Sequence, residues 1–171
     1  MQNIIFIHGL ESSGEGFKAR LFKKILPGCL TPNFKKYSKA ISYNNLLEIR
    51  MAQLISILKE KKSWVIIGSS FGGLIGALYT CQFPKKVDML ILLAPALAAS
   101  KLDPVKFSPV HVPVVIFHGK YDEIVPIKPT LSRAKQLFTN LKYNIVDDDH
   151  LLHFTVKNID WVKLLKSTQI I

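Results

Sequence analysis

Ser70 lies inside Gly68-Ser69-Ser70-Phe71-Gly72-Gly73, a Gly-x-Ser-x-Gly pattern with the serine at its centre. Such a serine can attack a carbonyl carbon, provided that a base takes its proton and donors receive the developing oxyanion. Its flanks supply the context this chemistry needs. Trp64-Val65-Ile66-Ile67 is a short apolar run that reads as a buried strand, and Leu74, Ala77, Leu78 and Cys81 recur at helical spacing after it. A strand-to-helix turn this tight holds its serine in strained geometry, and Gly68 and Gly72 remove side chains that would collide across it. Ser70 then stands at a helix N-terminus, where the dipole favours negative charge. Patterns with three fixed positions recur by chance, so the weight rests on these flanks and on what lies downstream.

The elements that must position Ser70 alternate between strand and helix. Ile4-Ile5-Phe6-Ile7 predicts a strand ending at His8-Gly9, and Phe17, Leu21, Phe22 and Ile25 predict a helix closed by Pro27-Gly28. Residues 30–34 read as a short strand. Leu47, Met51, Leu54, Ile55 and Leu58 mark the clearest helix. Val87 to Ala94 and Val112 to His118 are apolar enough to be buried on both faces. Leu131, Ala134, Leu137 and Phe138 predict a helix, Tyr143 to Val146 a last strand, and Ile159, Val162 and Leu165 a terminal helix. Residues 96–111 lack a clear period. This alternation predicts a mostly parallel sheet of about six strands with helices on both faces, in one domain over residues 1–171.

In an open parallel sheet, chemistry gathers beyond the carboxyl ends of the strands. Four such ends carry polar or glycine-rich sequence: His8-Gly9-Leu10, Gly68-Ser69-Ser70, His118-Gly119-Lys120-Tyr121-Asp122, and Asp147-Asp148-Asp149-His150. They offer a nucleophile, an acid and a base in the order Ser, Asp, His, the order expected of an elbow serine on this architecture.

With these segments, nearly the whole chain resembles the α/β-hydrolase superfamily, and within it small, lidless bacterial serine esterases. His8-Gly9-Leu10-x-Ser12-Ser13 resembles the oxyanion-loop entrance of small members. Pro84-x-x-Val87-x-x-Leu90-x-Leu92-Leu93-Ala94-Pro95 is similar to the strand after the elbow helix, and His118-Gly119-x-x-Asp122-x-x-Val125-Pro126 to the acid turn. The two antiparallel strands that open the full-length fold and a cap domain have no counterpart. The resemblance implies Ser70 as nucleophile, Asp122 as the carboxylate orienting the base, and the backbone N–H groups of Leu10 and Phe71 as the oxyanion hole. His150 directly follows the acidic turn, a setting similar to that of the family's catalytic histidine. His153, three residues on, is the alternative base, but it falls where the terminal helix begins and reads better as a packing group. His8 and His118 read as structural.

Other chemistries find less support. The net charge is +11, but Lys23-Lys24, Lys35-Lys36, Lys61-Lys62 and Lys85-Lys86 are scattered pairs without interleaved aromatics. This argues against a nucleic-acid interface and reads as solubility, with a weak pull on anionic substrates. Cys29 and Cys81 make no disulfide framework; Cys81 falls on the elbow helix's apolar stripe and Cys29 beside a loop. No stretch has the composition of a secretory signal or the length of a membrane span, which predicts a cytoplasmic protein that uses no membrane. His150-x-x-His153 is the one weak ligand spacing, so no metal is expected. No Gly-x-Gly-x-x-Gly follows the first strand, so no dinucleotide or other organic cofactor is expected. The sequence leaves the oligomeric state open. It supports a serine hydrolase acting through an acyl-enzyme on small acyl esters in an open site. A thioesterase or amidase with the same triad, or a non-catalytic interaction module on this fold, are the alternatives.

Overall fold

The structure is a computed structural model that describes residues 2–61 and 63–166; Lys62 of the basic pair noted above lies outside them. Five strands form a single sheet: β1 (Ile4–Ile7), β2 (Trp64–Ser69), β3 (Val87–Leu93), β4 (Val114–Gly119) and β5 (Leu141–Val146). They lie side by side in chain order, and every pairing is parallel. Helices α1 (Phe17–Ile25), α2 (Tyr43–Leu58), α3 (Phe71–Gln82), α4 (Ile127–Leu137), α5 (His153–Asn158) and α6 (Trp161–Lys166) cover it. This is a three-layer α/β architecture, a parallel sheet with helices on both faces, and no separate cap domain stands over it among the described residues. The aperiodic stretch before β4 is loop with one short turn of 3-10 helix, Pro104–Lys106.

Strand alternation sorts the core into two layers. Ile5, Ile7, Ile66, Leu90, Leu92, Val114 and Ile116 face α2, α3 and α4, where Leu46, Leu54, Leu74 and Leu137 meet them. Ile4, Phe6, Val65, Ile67, Met89, Ile91 and Val115 face α1, α5 and α6, where Phe22, Val156 and Trp161 complete the packing. Both faces are apolar because both are covered, which is why the strands read as continuous hydrophobic runs. Truncating a fully buried side chain such as Ile66 or Leu90 to alanine costs roughly 2–5 kcal/mol.

The structure departs from the sequence expectation at three places. Residues 30–34 form no strand: Leu30 makes one parallel bridge to Ile5, and Pro32, which has no N–H to donate, follows two residues on. The sheet therefore has five strands rather than six. The terminal helix is two short helices that break at Ile159-Asp160. Ile55, expected on the buried stripe of α2, is exposed. Cys29 is buried and Cys81 only partly so; burial pushes both thiols up to about 12, so neither is a ready thiolate.

The register brings the carboxyl ends of the strands to one edge. Ile7 pairs with Gly68, Ser69 with Leu93, Leu93 with Phe117, and Gly119 with Val146. The segments leaving these ends carry Leu10, Ser70, Asp122 and His150. Residues spread over most of the chain thus converge within a few side-chain lengths.

Candidate active site

Ser70 has φ 53° and ψ −113°, a left-handed backbone conformation that a residue with a Cβ adopts only when its surroundings impose it. Those surroundings are backbone. A Cβ on Gly68 would stand 2.6 Å from the Gly72 carbonyl oxygen, across the turn as the pattern predicts. A Cβ on Gly72 would stand 2.1 Å from the Ile7 carbonyl oxygen, so this glycine is required by the adjoining strand β1 rather than by the turn itself. The Ser70 N–H donates to the Leu93 carbonyl, and its own carbonyl accepts from Gly73, Leu74 and Ala96. Ser69, one residue earlier, belongs to β2 and is buried.

The serine hydroxyl meets an imidazole. His150 Nε2 lies 3.1 Å from Ser70 Oγ, and His150 Nδ1 lies 2.8 Å from Asp122 Oδ2. A carboxylate only accepts, so Nδ1 carries the proton and Nε2 is free to accept from the serine. The Asp122 side chain is buried. Burial by itself would raise its carboxyl, but the Val125 N–H, His150 and the Ile124 N–H all hydrogen-bond to it and outweigh burial, so the net shift is downward. The carboxylate therefore stays charged where it can orient an imidazole.

The loop that carries His150 is held by its own acidic residues. Asp148 Oδ2 accepts from both the N–H and the hydroxyl of Thr155, each at 2.8 Å, and Asp149 Oδ1 accepts from the Leu151 N–H at 2.8 Å. The loop crosses directly over Gly119, where a Cβ would stand 2.3 Å from the Asp149 carbonyl oxygen. His153 begins α5 and its ring packs on Phe17 at 4.1 Å between centroids. It makes no hydrogen bond or ion pair with Asp122 or Ser70 among the described residues.

The segment after β1 presents backbone N–H groups. The Leu10 N–H and the Phe71 N–H, the latter at the first position of α3, have no hydrogen-bond partner among the described residues. Two buried side chains hold this segment by its carbonyls. His8 Nδ1 contacts the Gly9 carbonyl at 2.8 Å, while its Nε2 accepts from the Phe34 N–H at 3.2 Å, which requires the Nδ1–H tautomer. Arg50, fully buried on α2, donates to the Gly9 carbonyl at 3.1 Å, the Leu10 carbonyl at 2.9 Å and the Lys35 carbonyl at 2.8 Å. Desolvation lowers the guanidinium to about 10, which leaves it charged at neutral pH. It also lies 5.3 Å from the centroid of the Phe71 ring.

Sequence reasoning missed Arg50. The signal was a charged residue one position from Met51 on the buried face of α2, which periodicity alone reads as an interruption. It also missed the surroundings of His118. This buried imidazole places Nε2 3.1 Å from Asp122 Oδ2 and 2.9 Å from the Val125 carbonyl, and Nδ1 2.6 Å from the Tyr143 hydroxyl. Burial lowers its pKa against the pull of Val125 and Asp122, so it is neutral.

A cavity of about 550 Å³ opens beside Ser70 and His150, with Leu10, Phe17, Ile124 and Leu151 among its apolar walls. Together the groups can deprotonate a serine hydroxyl, steady the resulting imidazolium and offer two N–H donors to an oxyanion. No group of three or more metal-ligating side chains occurs, and no helix is long and apolar enough to cross a membrane, among the described residues.

Known proteins share this fold. A family profile described as the alpha/beta hydrolase fold matches residues 2–112. A structure from Xanthomonas campestris pv. campestris, assigned to the alpha/beta hydrolase superfamily, superposes with a TM-score of 0.78 at 24% identity, over 98% of this chain and 99% of that one. The mouse alpha/beta hydrolase domain-containing protein 10 gives 0.69 at 20% identity, over 95% and 90% of the two chains. A Pyrococcus furiosus esterase gives 0.68 at 15% identity, over 98% and 81%. At these identities the likeness is one of fold. A human serine hydrolase-like protein is 40% identical over 60 residues, 33% of this chain; the match spans 28% of that protein's length.

Proposed function

Because the chain belongs to the alpha/beta hydrolase family, we propose that it is a serine hydrolase that cleaves small acyl esters through an acyl-enzyme. The observation that carries this reading is the continuous contact from Ser70 Oγ through both nitrogens of His150 to the buried carboxylate of Asp122. In the first half-reaction Ser70 Oγ attacks the ester carbonyl carbon and its proton passes to His150 Nε2. Asp122 stabilises the imidazolium, and the Leu10 and Phe71 N–H groups receive the oxyanion. The intermediate collapses, the alcohol leaves with the proton from His150, and the acyl group stays on Ser70. A water then gives its proton to His150 and attacks the acyl carbon, which releases the carboxylic acid and restores the serine. Thioesters and amides fit the same steps, and the uncapped cavity favours short acyl groups free in solution.

The direct test is active-site labelling. A fluorophosphonate should label the wild-type protein and leave Ser70→Ala unlabelled. Absence of labelling in folded wild type would favour a non-catalytic interaction module instead.

A further inference from the structure

Lys18 lines the same cavity as Ser70 and His150. It is the second residue of α1, in the first turn, where the positive end of the helix disfavours a cation. It is half-buried. Among the described residues its ammonium makes no hydrogen bond, and no carboxylate comes within 4.0 Å of it. The acidic groups that act on it from further away are Asp148 and Asp149, in the turn before α5. Both are already committed: Asp148 to Thr155, and Asp149 to the N–H groups of Leu151 and Leu152. Glu11, on the cavity rim, is exposed and screened by solvent. His153, on the cavity wall, has its pKa lowered by burial first and by Lys18 next, so it adds little positive charge.

A methionine or leucine would cover this wall without the cost of desolvating a charge. The neighbouring walls, Phe6, Leu10, Phe17 and Ile124, are apolar and would strengthen any interaction made there. Burial brings the Lys18 ammonium down to about 8 against the pull of Asp148 and Asp149, so it remains mostly protonated at neutral pH. Among the described residues, the cavity thus holds one lysine ammonium that no group pairs directly.

We propose that Lys18 binds an anionic substituent of the substrate, so that the ester cleaved by Ser70 carries a carboxylate in the part that fills this cavity. The assignment rests on the serine-hydrolase reading for the reaction, but its binding component does not need turnover.

The experiment uses two matched substrate pairs. The para-nitrophenyl monoester of glutaric acid against para-nitrophenyl pentanoate places the charge on the acyl side. para-Acetoxybenzoate against para-acetoxybenzamide places it on the alcohol side. In one pair, wild-type kcat/KM should favour the anionic member by about tenfold or more. Lys18→Met should erase that preference through KM while changing the neutral member by less than about threefold, and Lys18→Arg should keep it. Binding is measured separately by calorimetry on Ser70→Ala, where the anionic ester should bind about tenfold more tightly and lose this advantage when Lys18→Met is added. Equal turnover of both members in both pairs, or a Lys18→Met variant that slows charged and neutral esters alike, would overturn the proposal while leaving the serine reading intact. Lys18-dependent binding in a protein that hydrolyses no ester would overturn the serine reading while leaving the anion site standing.

Discussion

His118 Nε2 stands 3.1 Å from Asp122 Oδ2, the same oxygen that His150 Nδ1 contacts at 2.8 Å. Two imidazoles therefore share one carboxylate oxygen. The Val125 carbonyl, which only accepts, also faces His118 Nε2 and requires the proton to sit there. His118 Nδ1 must then accept from Tyr143, whose hydroxyl burial keeps protonated. A series of close polar contacts runs from Tyr143 through His118, Asp122 and His150 to Ser70, and its far end lies in β5.

Ser70→Ala should lose ester hydrolysis by about three orders of magnitude or more while the protein stays folded, since the hydroxyl is not a core group. Ser69→Ala should retain most activity, because Ser69 is the last residue of β2 and the His150 imidazole is hydrogen-bonded to Ser70 and Asp122 instead. Initial rates with para-nitrophenyl acetate, alongside circular dichroism, check both. Substantial hydrolysis by folded Ser70→Ala would rule out this nucleophile.

His150→Ala should be as inactive as Ser70→Ala, and His153→Ala should stay within about tenfold of wild type. The reason is geometric: His153 packs on Phe17, and only His150 spans the distance between Asp122 and Ser70. The opposite result would move the base to His153.

Acid should weaken the fold through His118 and Asp122. Both have native pKa values below their ordinary ones. The unfolded chain therefore binds more protons than the native one as pH falls, and stability rises with pH across that window. The His118 contribution is fully present above about 6.5 and is lost as pH falls from there, and that of Asp122 is lost below about 4. Tm should drop between pH 7 and pH 5, and His118→Gln should flatten that part of the curve. An unchanged slope in His118→Gln would count against a buried neutral imidazole.

Arg50→Met should lower kcat by roughly 10- to 100-fold with little change in KM, and weaken inhibition by a trifluoromethyl ketone in parallel. Without the guanidinium, the Gly9 and Leu10 carbonyls lose the donors that fix the peptide planes of this segment. Arg50→Lys should recover only part of the loss, because a single ammonium nitrogen lacks the spread of the three guanidinium nitrogens that reach the three carbonyls. A KM increase with kcat unchanged would place Arg50 in substrate binding instead.

The sequence alone determined the elbow around Ser70, the acid turn around Asp122 and the alternation of strand and helix. Each is a local pattern: glycine spacing reports a close backbone approach, and apolar runs report burial on both sheet faces. Tertiary structure alone decided what lies beneath those patterns. That Gly72 answers to β1, that Arg50 holds the Gly9 and Leu10 carbonyls, and that His118 shares an oxygen with His150 all depend on contacts between distant segments. Arg50 reaches Gly9 across 41 positions, and His150 reaches Ser70 across 80. Periodicity tells which face of a helix is buried, but not whether a charge on that face is an interruption or a brace. Parallel strand register decides that, because it brings every carboxyl end to the same edge.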